Sequence, residues 1–225
     1  SYNPTLENLL VAEEKKKVTW KEQLVEYGPI AMIGYMPAST IDPNNVKEAK
    51  SRKDWESWWQ GIKKEFNDME KRKVWTILNK ADIPSGRRLV GCKWVFKLKD
   101  NGVFRSRLCA QGFTQKPGID FQENFAPVVH DVTFRTALLL KLIFGLDDEQ
   151  FDVETAFLYG DLDEEIYMEL PELYDEYLKK QGRKEKYSKE THCLLLNKSI
   201  YGLVQAARQW WKKFKQKLRK LGYSP

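Results

Sequence analysis

The sequence predicts an α+β protein, from three observations. Apolar residues repeat at helical spacing over about 55–69, which is typical of an amphipathic helix. Short runs of β-prone residues follow, the clearest at 92–98 and another at 164–171, and these predict strands. A basic amphipathic helix is predicted near the end of the chain, over about 207–221. The length of 225 residues is enough for a substantial apolar core.

The first part of the chain divides into a tail and a helix. Residues 1–50 show little periodicity, and 27–45 are rich in proline, glycine and asparagine, so we expect a linker. Asp54 is the predicted N-cap of the helix that follows. The helix should pack its apolar stripe on a core, and the stripe consists of Trp55, Trp59, Ile62, Phe66 and Met69.

A β-hairpin is the clearest local prediction. After a β-prone run at 74–78, residues 92–98 alternate between apolar and mainly cationic side chains. Asp100-Asn101-Gly102 supplies a turn, and 103–111 form the return strand. One face should therefore carry four cations, which are Lys97, Lys99, Arg105 and Arg107. Such a face either contacts water or binds phosphates, because like charges on adjacent strands repel unless an anion neutralises them.

The second half alternates short elements with loops. Residues 118–131 have loop character, and Thr133 is the predicted cap of a helix over 134–146. Residues 149–160 should form a short apolar strand that breaks into a turn or short helix, with Asp152 buried in it. The charged segment 174–191 is predicted to be an exposed loop. The final helix should bury a stripe made of Ala207, Trp211, Phe214, Leu218 and Leu221.

Charge and cysteine content narrow the function classes. The net charge is +6 and the isoelectric point is about 9.0, which favours a polyanionic partner. Basic residues dominate 87–113 and the chain after Glu190, whereas 147–176 is acidic. The three scattered cysteines fit reduced thiols in an intracellular protein and exclude a disulfide framework or a zinc site. No apolar run is long enough to span a membrane, and the first residues do not resemble a signal peptide.

Four segments in order resemble the reverse transcriptase of copia-type retrotransposons. They are KWVFKLKDNGVFRSRL, GFTQKPGIDFQENFAPVV, FDVETAFLYGDLDEEIYMELP and LLLNKSIYGLVQAARQW. The likeness covers about 50–225 and implies the fingers and palm of a right-handed polymerase. By this resemblance a tail at 1–50 precedes a polymerase domain at 51–225, with fingers at about 74–130 and 163–203. A partial palm would comprise about 131–162 and 204–225.

The resemblance implies roles for individual residues. Asp152 falls on the first catalytic aspartate, and it would bind Mg²⁺ together with the backbone carbonyl of Val153. The family's chemistry is phosphoryl transfer with two Mg²⁺ ions, for which Mn²⁺ can substitute. Further residues would bind the deoxynucleotide or template, and these are Arg105, Arg107, Phe157, Tyr201 and Gly202. Phe157 would exclude a ribose 2′-hydroxyl. Lys97, Lys99, Lys212 and Lys213 would form a nucleic-acid surface.

The sequence also departs from the family pattern. Glutamine, glutamate, tyrosine and valine stand at positions 111, 154, 159 and 204, where the family usually has a basic residue, lysine, asparagine and lysine. The family's second acidic pair, on a Tyr-x-Asp-Asp strand, is expected beyond Pro225. We therefore expect the 225-residue chain to be truncated before a complete active site and to be inactive by itself.

The resemblance implies partners and a location as well. The partners would be an RNA or DNA template with its primer, deoxynucleoside triphosphates and the remainder of a Pol polyprotein, with no membrane. The location would be a cytoplasmic virus-like particle or the nucleus. The sequence leaves two other classes open: a non-catalytic nucleic-acid-binding module derived from a truncated element, and a structural piece of a polyprotein.

Overall fold

The computed structural model describes residues 42–149 and 152–223. The described residues from Asn45 onward belong to one compact unit with mixed α and β structure, so the α+β prediction is confirmed. The helices are α1 (Val46–Ser51), α2 (Trp55–Lys71), α3 (Asp131–Phe144), α4 (Tyr174–Lys180) and α5 (Ala206–Lys220). The strands are β1 (Trp75–Asn79), β2 (Leu89–Val90), β3 (Cys92–Leu98), β4 (Phe104–Ala110), β5 (Asp161–Glu169) and β6 (His192–Lys198). Short 3₁₀ turns lie at Lys80–Asp82, Gly112–Thr114 and Ala156–Tyr159.

The strands form two sheets. The larger has the order β1-β6-β5-β2, in which β1 and β5 are both antiparallel to β6, and β2 is parallel to β5. The smaller is the predicted hairpin of β3 and β4, whose register pairs Lys97 with Arg105 and Val95 with Arg107. Directly paired residues share one face of a sheet, so the hairpin places its cations as predicted. Trp94 and Phe96 are buried on the opposite face.

Helix α2 packs along the hairpin and the core. Trp58 is fully buried and makes edge contacts with Phe96 and Phe104, at centroid distances of 5.5 and 4.7 Å. Gly61 permits the close approach of helix and strand, because a Cβ there would lie 2.8 Å from Oγ of Ser106. The predicted apolar stripe is present, although Trp55 is only partly buried. Asp54 is the N-cap residue of α2, as predicted, but its carboxylate makes no capping hydrogen bond and accepts hydrogen bonds from Arg52 instead.

The segment 174–191 corrects a sequence prediction. Tyr174, Tyr177 and Leu178 of α4 are buried, so this stretch is not simply an exposed loop. The Tyr177 hydroxyl donates a 2.9 Å hydrogen bond to Glu70 of α2, which Arg183 also contacts. The high charge of the stretch concealed the apolar residues of one helical turn. As a result α4 contributes to the same core as α2.

Helix α3 has an unusual surface. It begins at Asp131, two residues before the predicted cap Thr133. Its C-cap is Gly145, which has the left-handed conformation with φ 61°. Thr133 therefore lies inside the helix, and the predicted cap is wrong. No residue of α3 is buried among the described residues, although Phe134, Leu138 and Ile143 are large and apolar.

Helix α5 lies against β5 and the 3₁₀ turn 156–159. Its buried residues are Ala206 and Gln209, so the predicted buried stripe is wrong. Of that stripe, Trp211, Phe214 and Leu218 are half-buried, whereas Ala207 and Leu221 are exposed. Gly160 allows the contact, because a Cβ there would lie 2.9 Å from Gln209. No helix within the described ranges is long and apolar enough to cross a bilayer.

Candidate functional site

A cleft of about 710 Å³ brings together three separate parts of the chain. One wall is α2 and β4, the second is the segment 152–157, and the third is the loop after β6. We call this space the cleft. Its lining includes Lys64, Glu65, Lys99, Arg105, Arg107, Asp152, Val153, Glu154, Phe157 and Tyr201. Six of these ten residues are the predicted catalytic, metal-binding and nucleotide-binding residues, with Gly202 adjacent.

The arginines of β4 form the cationic wall. Alternation along the strand buries Ser106 and Leu108 and turns Arg105 and Arg107 to the other face. The guanidinium carbon of Arg107 lies 4.8 Å from the centroid of the Tyr201 ring, a cation–π geometry that fixes the side chain. Its Nε atom is buried and has no hydrogen-bond partner among the described residues. This donor therefore needs a partner that the described residues do not supply.

Tyr201 and Phe157 form the aromatic wall. Their ring centroids are 5.3 Å apart with an interplanar angle of 71°, which is a favoured edge-to-face arrangement. The Tyr201 carbonyl accepts a 2.8 Å hydrogen bond from the N–H of Ala110, so the loop is attached to β4. Gly202 makes this approach possible: its φ is +88°, and a Cβ would lie 2.2 Å from the Ala110 carbonyl oxygen.

Asp152 and Val153 lie at the mouth of the cleft in irregular backbone. The prediction of a buried aspartate is wrong, because Asp152 is exposed. The predicted strand is absent from 152–160, where a turn leads into the 3₁₀ turn, while residues 150–151 lie outside the described ranges. Alternation with apolar neighbours suggested burial, but an exposed carboxylate at a cleft mouth is free to contact a ligand.

The described residues of the cleft supply too few ligands for a complete metal site. No group of three or more His, Cys, Asp or Glu side chains converges within 42–149 and 152–223. The carboxylate of Asp152 and the carbonyl of Val153 are oxygen donors of the kind that Mg²⁺ prefers. Their chemistry fits the ion, but their number does not make a two-ion site.

At two of the departures from the family pattern, Glu154 and Tyr159, the side chain has an internal partner, and at Val204 the backbone N–H has one. Lys64 bonds Glu154 at 2.6 Å and thereby lowers the pKa of that carboxyl. The guanidinium of Arg72 lies 5.0 Å from the ring centroid of Tyr159. The Val204 N–H donates to Gln115 at 2.9 Å. Between the first two sites, buried Thr155 adopts the left-handed conformation with φ 55°, a strained geometry for a β-branched residue.

The predicted nucleic-acid surface is divided. Lys99 lines the cleft, and Lys97 is exposed on the same face of the hairpin. Lys212 instead bonds Asp163 at 2.6 Å, and Lys213 bonds Asp161 at 2.7 Å. Both lysines of α5 are thus partly neutralised by β5. Lys213 also lines a second cavity, of about 470 Å³, which includes Val153 and Trp210.

Sequence reasoning missed Glu65. It is 6% exposed, and its Oε1 atom accepts a 3.2 Å hydrogen bond from the N–H of Leu108. Burial raises its pKa to about 7, against the opposing effects of the Leu108 hydrogen bond and of Arg107. The signal was present in the sequence. Trp58, Ile62, Glu65 and Met69 follow one another at spacings of four, three and four residues, so an acid occupies an apolar helical stripe.

Comparisons with known proteins identify the family of the chain. A family model described as "Reverse transcriptase (RNA-dependent DNA polymerase)" matches residues 72–225. The chain belongs to the reverse transcriptase family. The matched range of the reverse transcriptase domain begins at the end of α2 and includes both sheets. No solved structure matches the chain.

The reverse transcriptase domain is related to Pol polyproteins of transposons, and the copia-type resemblance is confirmed. The Retrovirus-related Pol polyprotein from transposon TNT 1-94 of Nicotiana tabacum is 42% identical over 178 residues, which are 77% of this chain and 12% of that protein. The Retrovirus-related Pol polyprotein from transposon RE2 of Arabidopsis thaliana is 31% identical over 191 residues, which are 83% of this chain and 12% of that protein. The Transposon Ty1-ER2 Gag-Pol polyprotein of Saccharomyces cerevisiae is 28% identical over 174 residues, which are 76% of this chain and 9% of that protein. The chain thus spans about a tenth of these relatives.

Proposed function

We propose that this chain is part of an RNA-directed DNA polymerase of a copia-type retrotransposon, which extends a primer with deoxynucleoside triphosphates. The carrying observation is the cleft, because residues predicted separately from β4, from 152–157 and from the loop after β6 line the same space. The template with its primer, the nucleotides and the remainder of a Pol polyprotein are the proposed partners.

In this proposal Arg105 and Arg107 bind the triphosphate. Guanidinium groups match phosphate oxygens in planar, bidentate geometry. The Tyr201 ring holds the Arg107 side chain in place before a ligand arrives, which reduces the side-chain entropy lost on binding. The buried Nε of Arg107 has no partner among the described residues, and a phosphate oxygen or a water would satisfy it.

Phe157 and Tyr201 select the sugar in this proposal. Their edge-to-face packing limits the movement of both rings. A ring fixed at the cleft wall excludes a 2′-hydroxyl by steric overlap, so ribonucleotides bind less well than deoxynucleotides. Glycine at position 202 lets the loop backbone approach β4 closely, and this keeps Tyr201 beside Phe157.

Asp152 and the Val153 carbonyl would contribute oxygen ligands to Mg²⁺ or Mn²⁺. Two such ions supply electrostatic stabilisation of the attacking and leaving oxygens in phosphoryl transfer. Since the described residues provide too few ligands for a complete site, we assign no reaction step to the metal. For the same reason we expect the isolated 225-residue chain to show no templated extension.

The architecture is assigned on the same basis. We place the fingers at about 74–130 and 163–203 and the partial palm at about 131–162 and 204–225, within a domain at 51–225. In support, the basic hairpin and the mixed sheet both lie in the proposed fingers. The segment with Asp152 packs against α5 through the 3₁₀ turn, within the proposed palm.

A second candidate function is a non-catalytic nucleic-acid-binding module. The observation that favours it is the Lys64–Glu154 ion pair at 2.6 Å, at the cleft. Glutamate at 154, where the family usually has lysine, adds a negative charge where the substrate is anionic. This module would bind primer–template without extending it.

Primer extension with Asp152→Asn tests the proposal. The assay uses a protein that continues beyond this chain into the rest of the polyprotein, with an annealed primer–template and Mg²⁺ or Mn²⁺. The variant should lose extension, because a neutral amide replaces a charged ligand, while folding is retained at this exposed position. Asp147→Asn, which removes the same charge outside the cleft, is the control and should extend normally. Extension by Asp152→Asn at the wild-type rate would remove Asp152 from catalysis.

A further inference from the structure

Glu65 is a buried acid that joins α2 to β4. Its neighbours along the helix face, Trp58, Ile62 and Met69, are fully buried. The N–H groups of Leu108 and Ala110 lie on the edge of β4 away from β3, where they donate to Glu65 and to the Tyr201 carbonyl. The carboxylate therefore takes the place that an acceptor from a third strand would occupy. Without an acceptor, a buried backbone donor would be left unpaired.

The charged surroundings of Glu65 are those of the cleft. From β4, Arg107 and Arg105 face it and favour its ionised form, whereas Asp68 of its own helix opposes ionisation. Cys109 and Tyr201 also interact with it, and burial raises the pKa of each. Lys64, Lys99, Asp152 and Glu154 are the other charged residues that line the same cleft. Burial also raises the pKa of Glu65 to about 7. The Leu108 hydrogen bond and the two arginines, which line the cleft, favour the ionised carboxylate against this burial.

We propose that a polyphosphate bound in the cleft causes Glu65 to take up a proton from solvent. This rests on the proposed function, in which Arg105 and Arg107 bind phosphate. A bound polyanion neutralises the arginines and adds negative charge, so the ionised carboxylate loses its stabilisation. The proton adds to one carboxyl oxygen, and the other remains available as an acceptor for the N–H of Leu108.

Thermodynamic linkage gives the direction in which the affinity for polyphosphate changes with pH. Because bound polyphosphate favours the protonated acid, the protonated protein binds polyphosphate more tightly by the same factor. Affinity is therefore highest below the pKa of the free protein, about 7, and declines as pH rises through it. Each unit by which binding raises the pKa corresponds to about a tenfold difference in affinity between the two forms.

Calorimetry with inorganic triphosphate tests the proposal on the full chain. Titrations near pH 7 with EDTA, in buffers of different ionisation enthalpy, give the number of protons exchanged on binding. Glu65→Gln keeps an acceptor for the N–H of Leu108 but cannot titrate. Protons that triphosphate itself exchanges contribute equally for every variant, so they cancel in the comparison. Wild-type protein should take up more protons than Glu65→Gln, by up to about one half, because a carboxyl with a pKa of about 7 is already about half protonated at this pH. Glu56→Gln, about 13 Å along the same helix, should behave as wild type.

A second measurement does not depend on the variant's stability. The side-chain ¹³C resonance of Glu65 in wild-type protein should titrate at higher pH when triphosphate is bound. Binding with equal proton exchange in wild type and Glu65→Gln, or an unchanged Glu65 titration, overturns this inference and leaves the polymerase proposal intact. Absence of triphosphate binding overturns the inference together with the arginine assignment. Loss of primer extension in Asp152→Asn is a separate readout that does not require the proton.

Discussion

Replacing Gly202 by alanine should destabilise the fold more than the same change at another glycine with positive φ. At Gly202 the backbone has φ +88°, and an added Cβ would lie 2.2 Å from the Ala110 carbonyl oxygen. Gly102, in the hairpin turn, has φ +78° with no atom within 4 Å of such a Cβ. The left-handed conformation costs alanine about 1–2 kcal/mol at either site. Only in Gly202→Ala does the added Cβ also push the loop after β6 away from β4.

The additional cost follows from the hydrogen bond that the separation breaks. The Ala110 N–H donates to the Tyr201 carbonyl at 2.8 Å, and Ala110 is buried. Leaving that donor unpaired costs about 1–3 kcal/mol, so Gly202→Ala should lose roughly 2–5 kcal/mol in all. Denaturant unfolding followed by tryptophan fluorescence gives both free energies of unfolding. Equal losses in Gly202→Ala and Gly102→Ala would refute the close-approach argument.

Two further predictions concern the cleft in the longer polymerase. Phe157→Ala should reduce the preference for deoxynucleotides over ribonucleotides, because it relieves a steric overlap. Phe113→Ala, at a residue that is 82% exposed, is the control and should leave this preference unchanged. If Phe157→Ala also leaves the preference unchanged, Phe157 serves only in packing. Neutralising the four hairpin cations, Lys97, Lys99, Arg105 and Arg107, should weaken primer–template binding and reduce its salt slope by about 0.7–0.9 per lost phosphate contact. Neutralising Lys53, Lys71, Lys184 and Lys186, which lie outside the cleft, is the control, and an equal slope change in both sets would contradict the assignment.

The hairpin shows where local pattern is sufficient. Alternation along 92–98, the Asp-Asn-Gly turn and the return strand predicted the pairing and the cationic face correctly. A strand with one buried face must alternate, so its sequence carries its orientation. The stripe of α2 was predictable for the same reason, with a period of 3.6 residues.

Predictions failed where a residue's environment comes from distant parts of the chain. Asp152 looked buried among apolar neighbours, yet the backbone turns and leaves it exposed at the cleft. The charged segment 174–191 looked like a loop, yet α4 packs Tyr174 and Tyr177 beside Phe66. Composition of a window does not show which face meets the core.

The sequence by itself determined the α+β class, the basic hairpin and, through four ordered segments, the reverse transcriptase family. It also named the residues of β4, of 152–157 and of the loop after β6 as candidate site residues. Only the tertiary structure decided that they line one cleft, because their convergence depends on long-range packing of α2, the hairpin and that loop. The same packing placed Glu65 in one cleft with the two arginines, since burial and charge are properties of the folded surroundings.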